Sequence, residues 1–139
     1  MSSLIDSGVW IAAFNKKDAH HVQGKAIISA VTDGKLANVL ITDYIFNEVV
    51  TYTRKKLGSE VSLKIATALL DSGHVKIIMV EESAFMSSFH IFQKYDLLSF
   101  TDANIVVVIK NLGIKHFFSF DSGFDSVKDI LRLESLPDP

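Results

Sequence analysis

Four acidic residues stand where the sequence pattern predicts that secondary-structure elements begin or end. Asp6 and Asp121 each follow a short apolar run typical of a buried strand, and Asp102 falls in the first turn of a predicted helix. Glu48 lies at the border of the apolar stripe of another predicted helix. Because ligand sites in open parallel sheets collect outside the carboxyl ends of the strands, we expect the four carboxylates to converge on one sheet edge.

Carboxylates gathered in this way would repel one another and raise their own pKa values unless a cation neutralised them. Sites rich in oxygen ligands suit a hard divalent cation such as Mg²⁺ or Mn²⁺. A cation held there can activate water and stabilise a phosphodiester oxygen during in-line attack. Metal-dependent phosphodiester hydrolysis is therefore one chemistry that such a site can perform.

Taken singly, each acid also has an ordinary structural interpretation. Asp6 could be a helix N-cap, and Asp102 could simply complement a helix dipole. Asp121 could cap the turn that Gly123 completes, and Glu48 could be a solvated helix residue. Only the joint pattern favours a site.

Short apolar segments alternate with segments of helical periodicity along the chain, and hairpin signals are missing. This alternation predicts one domain over residues 1–139, built as a three-layer α/β/α sandwich with a mainly parallel central sheet. Predicted strands cover residues 2–5, 37–41, 75–80 and 116–120.

The segment spanning residues 97–125 supplies two of the four acids. Thr101 is the predicted N-cap of its helix and Gly113 the predicted C-terminal stop. Residues 105–109 are all β-branched, so a strand competes with a helix here. The length of the segment and its caps favour a helix that is buried between layers.

Composition narrows the class of protein. The chain has 139 residues, a hydrophobic share of 48%, a net charge of −2 and no cysteine, which excludes disulfides and thiolate metal sites. No apolar run approaches the roughly 20 residues that cross a bilayer, so we expect a cytoplasmic protein without a membrane partner. The charge does not itself indicate a nucleic-acid partner, and binding to a polyanion would need local basic clusters or a bound cation.

Three stretches together resemble the PIN domain family, specifically its small single-domain ribonucleases of the VapC type. The first motif of the family, a strand ending in an aspartate followed by a hydroxyl residue, is similar to LIDSGVWIAAF. The second is similar to TDYIFNEVVTYTRKKLG, and the third and fourth to LLSFTDANIVVVIKNLGIKHFFSFDSGFD. The resemblance covers essentially the whole chain, and the order and spacing of the motifs carry it.

The resemblance implies a divalent-metal-dependent endoribonuclease, a metal-activated water as attacking group, and Mg²⁺ or Mn²⁺ held by Asp6, Glu48, Asp102 and Asp121. Ser7 and Ser119 occupy the small hydroxyl positions that orient the carboxylates, and Asp125 matches a further acid of the closing pattern. Asn104 could contact the cation or its waters, although a solvated position is the favoured interpretation. RNA as substrate, a homodimer and a cognate antitoxin that blocks the site are also implied.

Two other functions remain open from the sequence. One is a catalytically silent PIN-like module that binds protein or RNA. The other is a receiver-type phosphotransfer domain, which needs a lysine at a strand end, whereas Lys76 and Lys115 begin predicted strands. The five histidines show no ligand spacing and are interpreted as structural or surface residues.

Overall fold

A parallel sheet forms the centre of the computed structural model, which describes residues 1–138. The strand order is β3-β2-β1-β4-β5, and all four strand pairings are parallel. The strands are β1 (Ser3–Ile5), β2 (Val39–Thr42), β3 (Val75–Ile78), β4 (His116–Phe118) and β5 (Arg132–Leu133). Four of them confirm the predicted strands.

Helices cover both faces of this sheet, as the right-handed crossovers of parallel strands require. The helices are α1 (Ser7–Phe14), α2 (His21–Thr32), α3 (Asp43–Leu57), α4 (Ser59–Asp71), α5 (Glu82–Lys94) and α6 (Phe100–Leu112). The first four connect β1 to β2 and β2 to β3, whereas α5 and α6 lead back across the sheet to β4. The predicted α/β/α sandwich is confirmed.

The central strand β1 begins almost at the start of the chain and pairs with β2 on one side and β4 on the other. Its residues Leu4 and Ile5 are completely buried. The chain runs from β1 to β2 in one direction and later returns to β4 in the other. A crevice at the carboxyl ends of β1 and β4 follows from this reversal, and such switch points commonly bind ligands.

The all-β-branched run forms a helix, as predicted, and lies within α6, where every residue from 103 to 109 is buried. The predicted N-cap, Thr101, is wrong. Ser99 is the N-cap, because its Oγ accepts a hydrogen bond from the Asp102 amide and its own amide donates to Asp102 Oδ2, both at 3.1 Å. This reciprocal pair is a capping box. Gly113 ends the helix with a φ of +61°, as predicted.

The edge strand β5 was not predicted, because two residues carry no readable alternation. An ion-pair network on Arg132 fixes this segment: its guanidinium pairs with Asp125 at 2.9 Å and with Glu134. A further hydrogen bond of 3.1 Å joins Arg132 to the carbonyl oxygen of Ser119. Within residues 1–138, no helix has both the length and the apolar character needed to cross a membrane.

Candidate active site

A cleft of about 430 Å³ opens at the carboxyl ends of β1 and β4. The four acids predicted to form a site all line it. Its lining residues are Asp6, Ser7, Gly8, His20, Glu48, Ser99, Asp102, Phe120 and Asp121. The structure therefore brings the predicted acids together from four separate parts of the chain.

Asp6 lies deepest, directly after β1, where it is the N-cap of α1 and only 6% exposed. Its Oδ1 accepts a hydrogen bond from the Ser7 amide and its Oδ2 accepts one from Ser119 Oγ, both at 2.8 Å. Burial raises its pKa from 3.8 to about 7, and the negative charges of Asp102 and Glu48 add to the rise. The two serine hydrogen bonds oppose this rise and keep the side chain oriented.

Glu48 projects from α3, which begins at the end of β2 because Thr42 caps it by accepting a hydrogen bond from the Ile45 amide at 3.1 Å. Ser7 Oγ donates to Glu48 Oε1 at 3.0 Å, so α1 and α3 are joined at the cleft. Partial burial raises the pKa of Glu48, and the hydrogen bond from Ser7 opposes that rise.

Asp102 has two roles at the start of α6. Through Oδ2 it completes the capping box with Ser99, and its carboxylate also lines the cleft. Burial raises its pKa to about 6, with contributions from the charges of Asp121 and Glu48, whereas its hydrogen bonds with Ser99 lower it. The cap therefore holds this acid in place beside the others.

Asp121 follows β4 and caps the 3₁₀ turn Ser122–Ser126 by accepting a hydrogen bond from the Gly123 amide at 2.9 Å. Its own amide donates to Ser119 Oγ at 3.0 Å. A Cβ atom at Gly123 would approach the Leu97 carbonyl oxygen to 3.0 Å and Asp121 Oδ1 to 3.1 Å. The close approach of backbone and carboxylate here explains the glycine.

Two of the four supporting residues named from the sequence lie at the cleft's carboxylates, and two do not. Ser7 and Ser119 hydrogen-bond Glu48 and Asp6, as the resemblance implied. Asp125 instead forms the ion pair with Arg132, which lowers its pKa. It does not line the cleft.

Asn104 also lies away from the cleft, and the expectation of a solvated side chain is wrong. It is fully buried, with its Nδ2 donating to Ser88 Oγ of α5 at 3.1 Å. Two residues that are two positions apart on an α-helix are related by a rotation of about 200° around the helix axis, so their side chains lie on nearly opposite faces. With Asp102 directed to the cleft, Asn104 is therefore turned into the contact between α5 and α6.

His20 lines the cleft, although its position in the sequence does not distinguish it from the other histidines. Its ring stacks on that of Phe120, with a distance of 4.5 Å between ring centroids and an angle of 16° between their planes. No sequence signal connects these two residues, which are brought together only by the fold. Among the described residues that line the cleft, His20 alone has a side chain able to carry positive charge.

The cleft fits a hard divalent cation, because its possible ligands are carboxylates and almost no positively charged side chain balances their negative charge. Burial is the main cause of the raised pKa values of Asp6 and Asp102, and the negative charges of the neighbouring acids add to it. As placed, however, no three histidine, aspartate or glutamate side chains in residues 1–138 are arranged to hold one ion together. The cleft therefore collects suitable oxygen ligands without presenting a finished coordination sphere.

Comparison with known proteins supports a single family. The PIN domain family model matches residues 3–130. A VapC ribonuclease of Archaeoglobus fulgidus is 30% identical over 128 residues, an alignment that covers 89% of this chain and 80% of that protein.

Solved structures share the fold at lower sequence identity. A VapC toxin of Mycobacterium tuberculosis, described as cleaving the sarcin–ricin loop, superimposes with a TM-score of 0.77 at 22% identity, covering 89% of this chain and 93% of the toxin. A toxin–antitoxin complex from Klebsiella pneumoniae gives a TM-score of 0.63 at 15% identity, covering 91% of this chain and 92% of the matched chain. Since the family model spans nearly the entire sequence and the fold agrees with it, the chain belongs to the PIN domain family.

Proposed function

We propose that the protein is an endoribonuclease that requires Mg²⁺ or Mn²⁺ and acts as the toxin of a toxin–antitoxin pair. The observation that carries this proposal is the convergence of four carboxylates in one cleft at the switch point of the sheet. The similarity to a VapC ribonuclease supports RNA as the substrate. The silent binding module is disfavoured, because a surface that only binds RNA gains nothing from gathering negative charge.

The residues that would hold the cation are Asp6, Glu48, Asp102 and Asp121. When bound, the cation supplies charge neutralisation for the phosphodiester and a more acidic water for in-line attack. The protein's own hydroxyl groups prepare the ligands: Ser119 orients Asp6 and Ser7 orients Glu48. Because the pKa of Asp6 is about 7, a proton competes with the cation for this carboxylate near neutral pH.

The deciding experiment is cleavage of unstructured RNA with Mg²⁺ or Mn²⁺, compared with the same reaction in excess EDTA. Glu48→Gln and Asp102→Asn should abolish cleavage, since each removes a carboxylate from the cleft. Asp71→Asn is the matched control. Asp71 is exposed at the end of α4, just before β3 begins, and therefore lies at the amino ends of the strands, away from the cleft. Equal cleavage by all variants would contradict catalysis by the cleft acids. RNA binding without cleavage of any RNA would favour the binding module.

We also propose that two copies of the chain associate through the apolar α5 surface. This surface consists of Phe85, Met86, Phe89 and Phe92, whose side chains are 42–52% exposed. Phe85 and Phe92 pack their rings against Phe100, so the surface is ordered. Because these four side chains carry no charge, two copies of the surface can meet without repulsion, and large exposed apolar patches commonly mark interfaces.

Phe89→Glu should therefore convert a dimer into a monomer in sedimentation velocity, because it places a charge in the middle of the buried contact. Val22→Glu introduces the same charge at an apolar residue of α2 that is 77% exposed, and should leave the dimer intact. A monomeric wild-type protein would contradict the proposal.

We propose, in addition, a cognate antitoxin that covers the cleft; the structural similarity to a toxin–antitoxin complex supports an antitoxin as partner. Expression of the protein alone should then arrest bacterial growth, and Glu48→Gln should not, because the arrest depends on RNA cleavage. Growth curves after induction measure this difference. Equal arrest by both forms at equal expression would argue against a toxin that works through the cleft.

A further inference from the structure

The stacked pair of His20 and Phe120 forms an aromatic part of the cleft wall. Phe120 lies between β4 and Asp121, and both residues line the cleft. His20 belongs to the connection between α1 and α2 and is exposed, with its ring lying nearly parallel to that of Phe120. Among the described lining residues, these two are the only aromatic ones.

Local contacts hold the His20 segment against α1. The His20 amide donates to Asp18 Oδ1 at 2.8 Å, and His21 Nδ1 lies 2.7 Å from the carbonyl oxygen of Ala12. Gly24 of α2 lets the two helices approach closely, because a Cβ atom there would lie only 2.9 Å from the carbonyl oxygen of Val9. The imidazole is therefore presented by a well-anchored segment.

We propose that the His20–Phe120 pair is a base-stacking platform, on which an unpaired base of the RNA next to the cleaved phosphate lies against the imidazole. This inference rests on the proposed ribonuclease function and names the substrate class more closely. The carboxylates and their cation serve the phosphate, whereas the base needs a π-surface beside them. Proteins that bind single-stranded RNA commonly stack its bases on aromatic rings, including histidine.

The platform has a consequence for substrate choice. A base inside a duplex is already stacked on its neighbours and cannot lie on a protein ring unless it is pulled out. The substrate is therefore RNA that is single-stranded at the cleavage position, such as a loop or an unpaired end. Stacking is tolerant of sequence, because every base has a π-face.

Binding and stacking are measured on a set of short unstructured oligoribonucleotides, each of which carries 2-aminopurine at a different position. With Glu48→Gln as the background, the RNA stays intact, and fluorescence quenching reports stacking of the base. His20→Ala should abolish the quenching and raise Kd roughly 5- to 150-fold, the range typical of one lost base–aromatic contact. His20→Phe should retain both, because it keeps a ring without the imidazole nitrogens.

Two controls separate stacking from other roles of the histidine. His20→Asn keeps a hydrogen-bonding group without the ring and should behave like His20→Ala. His74→Ala removes an exposed histidine outside the cleft and should leave quenching and Kd unchanged. In the cleaving enzyme, His20→Ala should raise KM more than it lowers kcat.

The proposal is overturned if His20→Asn binds like the wild type while His20→Phe binds like His20→Ala, because a nitrogen contact would then explain the effect. It is also overturned if all His20 variants bind equally. Failure of the ribonuclease assignment gives a different result: no RNA is cleaved by the wild type, yet 2-aminopurine is still quenched by it and not by His20→Ala.

Discussion

The hydroxyl group of Ser119 connects two of the cleft acids. It donates to Asp6 Oδ2 at 2.8 Å and accepts the hydrogen bond of the Asp121 amide at 3.0 Å. Ser119 is fully buried, so no solvent competes for these contacts. Because the hydrogen bond from Ser119 stabilises the ionised form of Asp6, the fraction of Asp6 that is charged near neutral pH depends on this hydroxyl.

Ser119→Ala should raise the pKa of Asp6 further, since it removes the contact that lowers it. If ionised Asp6 is needed to hold the cation, the acid limb of the pH–rate profile for RNA cleavage should move to higher pH. Ser126→Ala is the control, because Ser126 Oγ donates to the Gly123 carbonyl oxygen and does not contact the acids. An acid limb that stays in place in Ser119→Ala would contradict this role.

At the scale of the element, α6 shows how closely helix stability and the site are connected. Its first turn is fixed by the reciprocal hydrogen bonds of Ser99 and Asp102, and Asp102 is also a cleft acid. The residues that follow are packed inside the molecule. The position of this carboxylate therefore depends on the cap as much as on the buried apolar run.

Ser99→Ala should lower the free energy of unfolding by about 1 kcal/mol, the typical cost of losing an N-cap side chain. Thr101→Ala should change it much less, since Thr101 lies inside the first turn and is not the cap. Equilibrium denaturation by urea measures both values. Equal losses in the two variants would show that the cap contributes no more than an ordinary first-turn residue.

Sequence patterns predicted the elements well and their contacts less well. The helix of residues 105–109 followed from its length and end signals, although its β-branched composition favoured a strand locally. The N-cap was misplaced because two hydroxyl residues precede Asp102, and the spacing from Ser99 to Asp102 was the signal that would have identified it.

The remaining differences between the predictions and the structure arise from contacts between residues that are far apart in the sequence, which no local pattern encodes. The burial of Asn104 depends on Ser88, which lies on a different helix. His20 and Phe120 are 100 positions apart and meet only because the α1–α2 connection reaches the end of β4. The convergence of the four acids on one cleft was foreseeable, since strand ends in a parallel sheet share an edge.

For the whole molecule, the acid cluster links folding stability to pH. The pKa of Asp6 rises from 3.8 to about 7 on folding, so the folded protein binds a proton that the unfolded chain releases. The stabilisation that this proton gives to the folded state is present in full below about pH 4 and is lost as the pH rises through about 7. At about 1.4 kcal/mol for each pKa unit, the penalty on ionised Asp6 is on the order of 4 kcal/mol.

In EDTA, the melting temperature of the wild type should therefore fall between about pH 5 and pH 8, and that of Asp6→Asn should fall less. Addition of Mg²⁺ or Mn²⁺ at about pH 8 should raise the melting temperature of the wild type, because the cation binds only the folded protein. It should not stabilise Asp6→Asn. Differential scanning calorimetry at several pH values tests both, and a pH-independent wild type would refute the linkage.

The position of β1 in the chain also determines at what point of protein synthesis the cleft can form. Asp6 is synthesised well before its hydroxyl partner Ser119, which lies 113 positions later, so β1 can complete its pairing only after β4 has been made. Contacts of such long separation form slowly, because the chain between them must first be ordered. A nascent chain on the ribosome thus carries three of the four acids without a cleft. The site is assembled only after Ser119 and Asp121 have been synthesised.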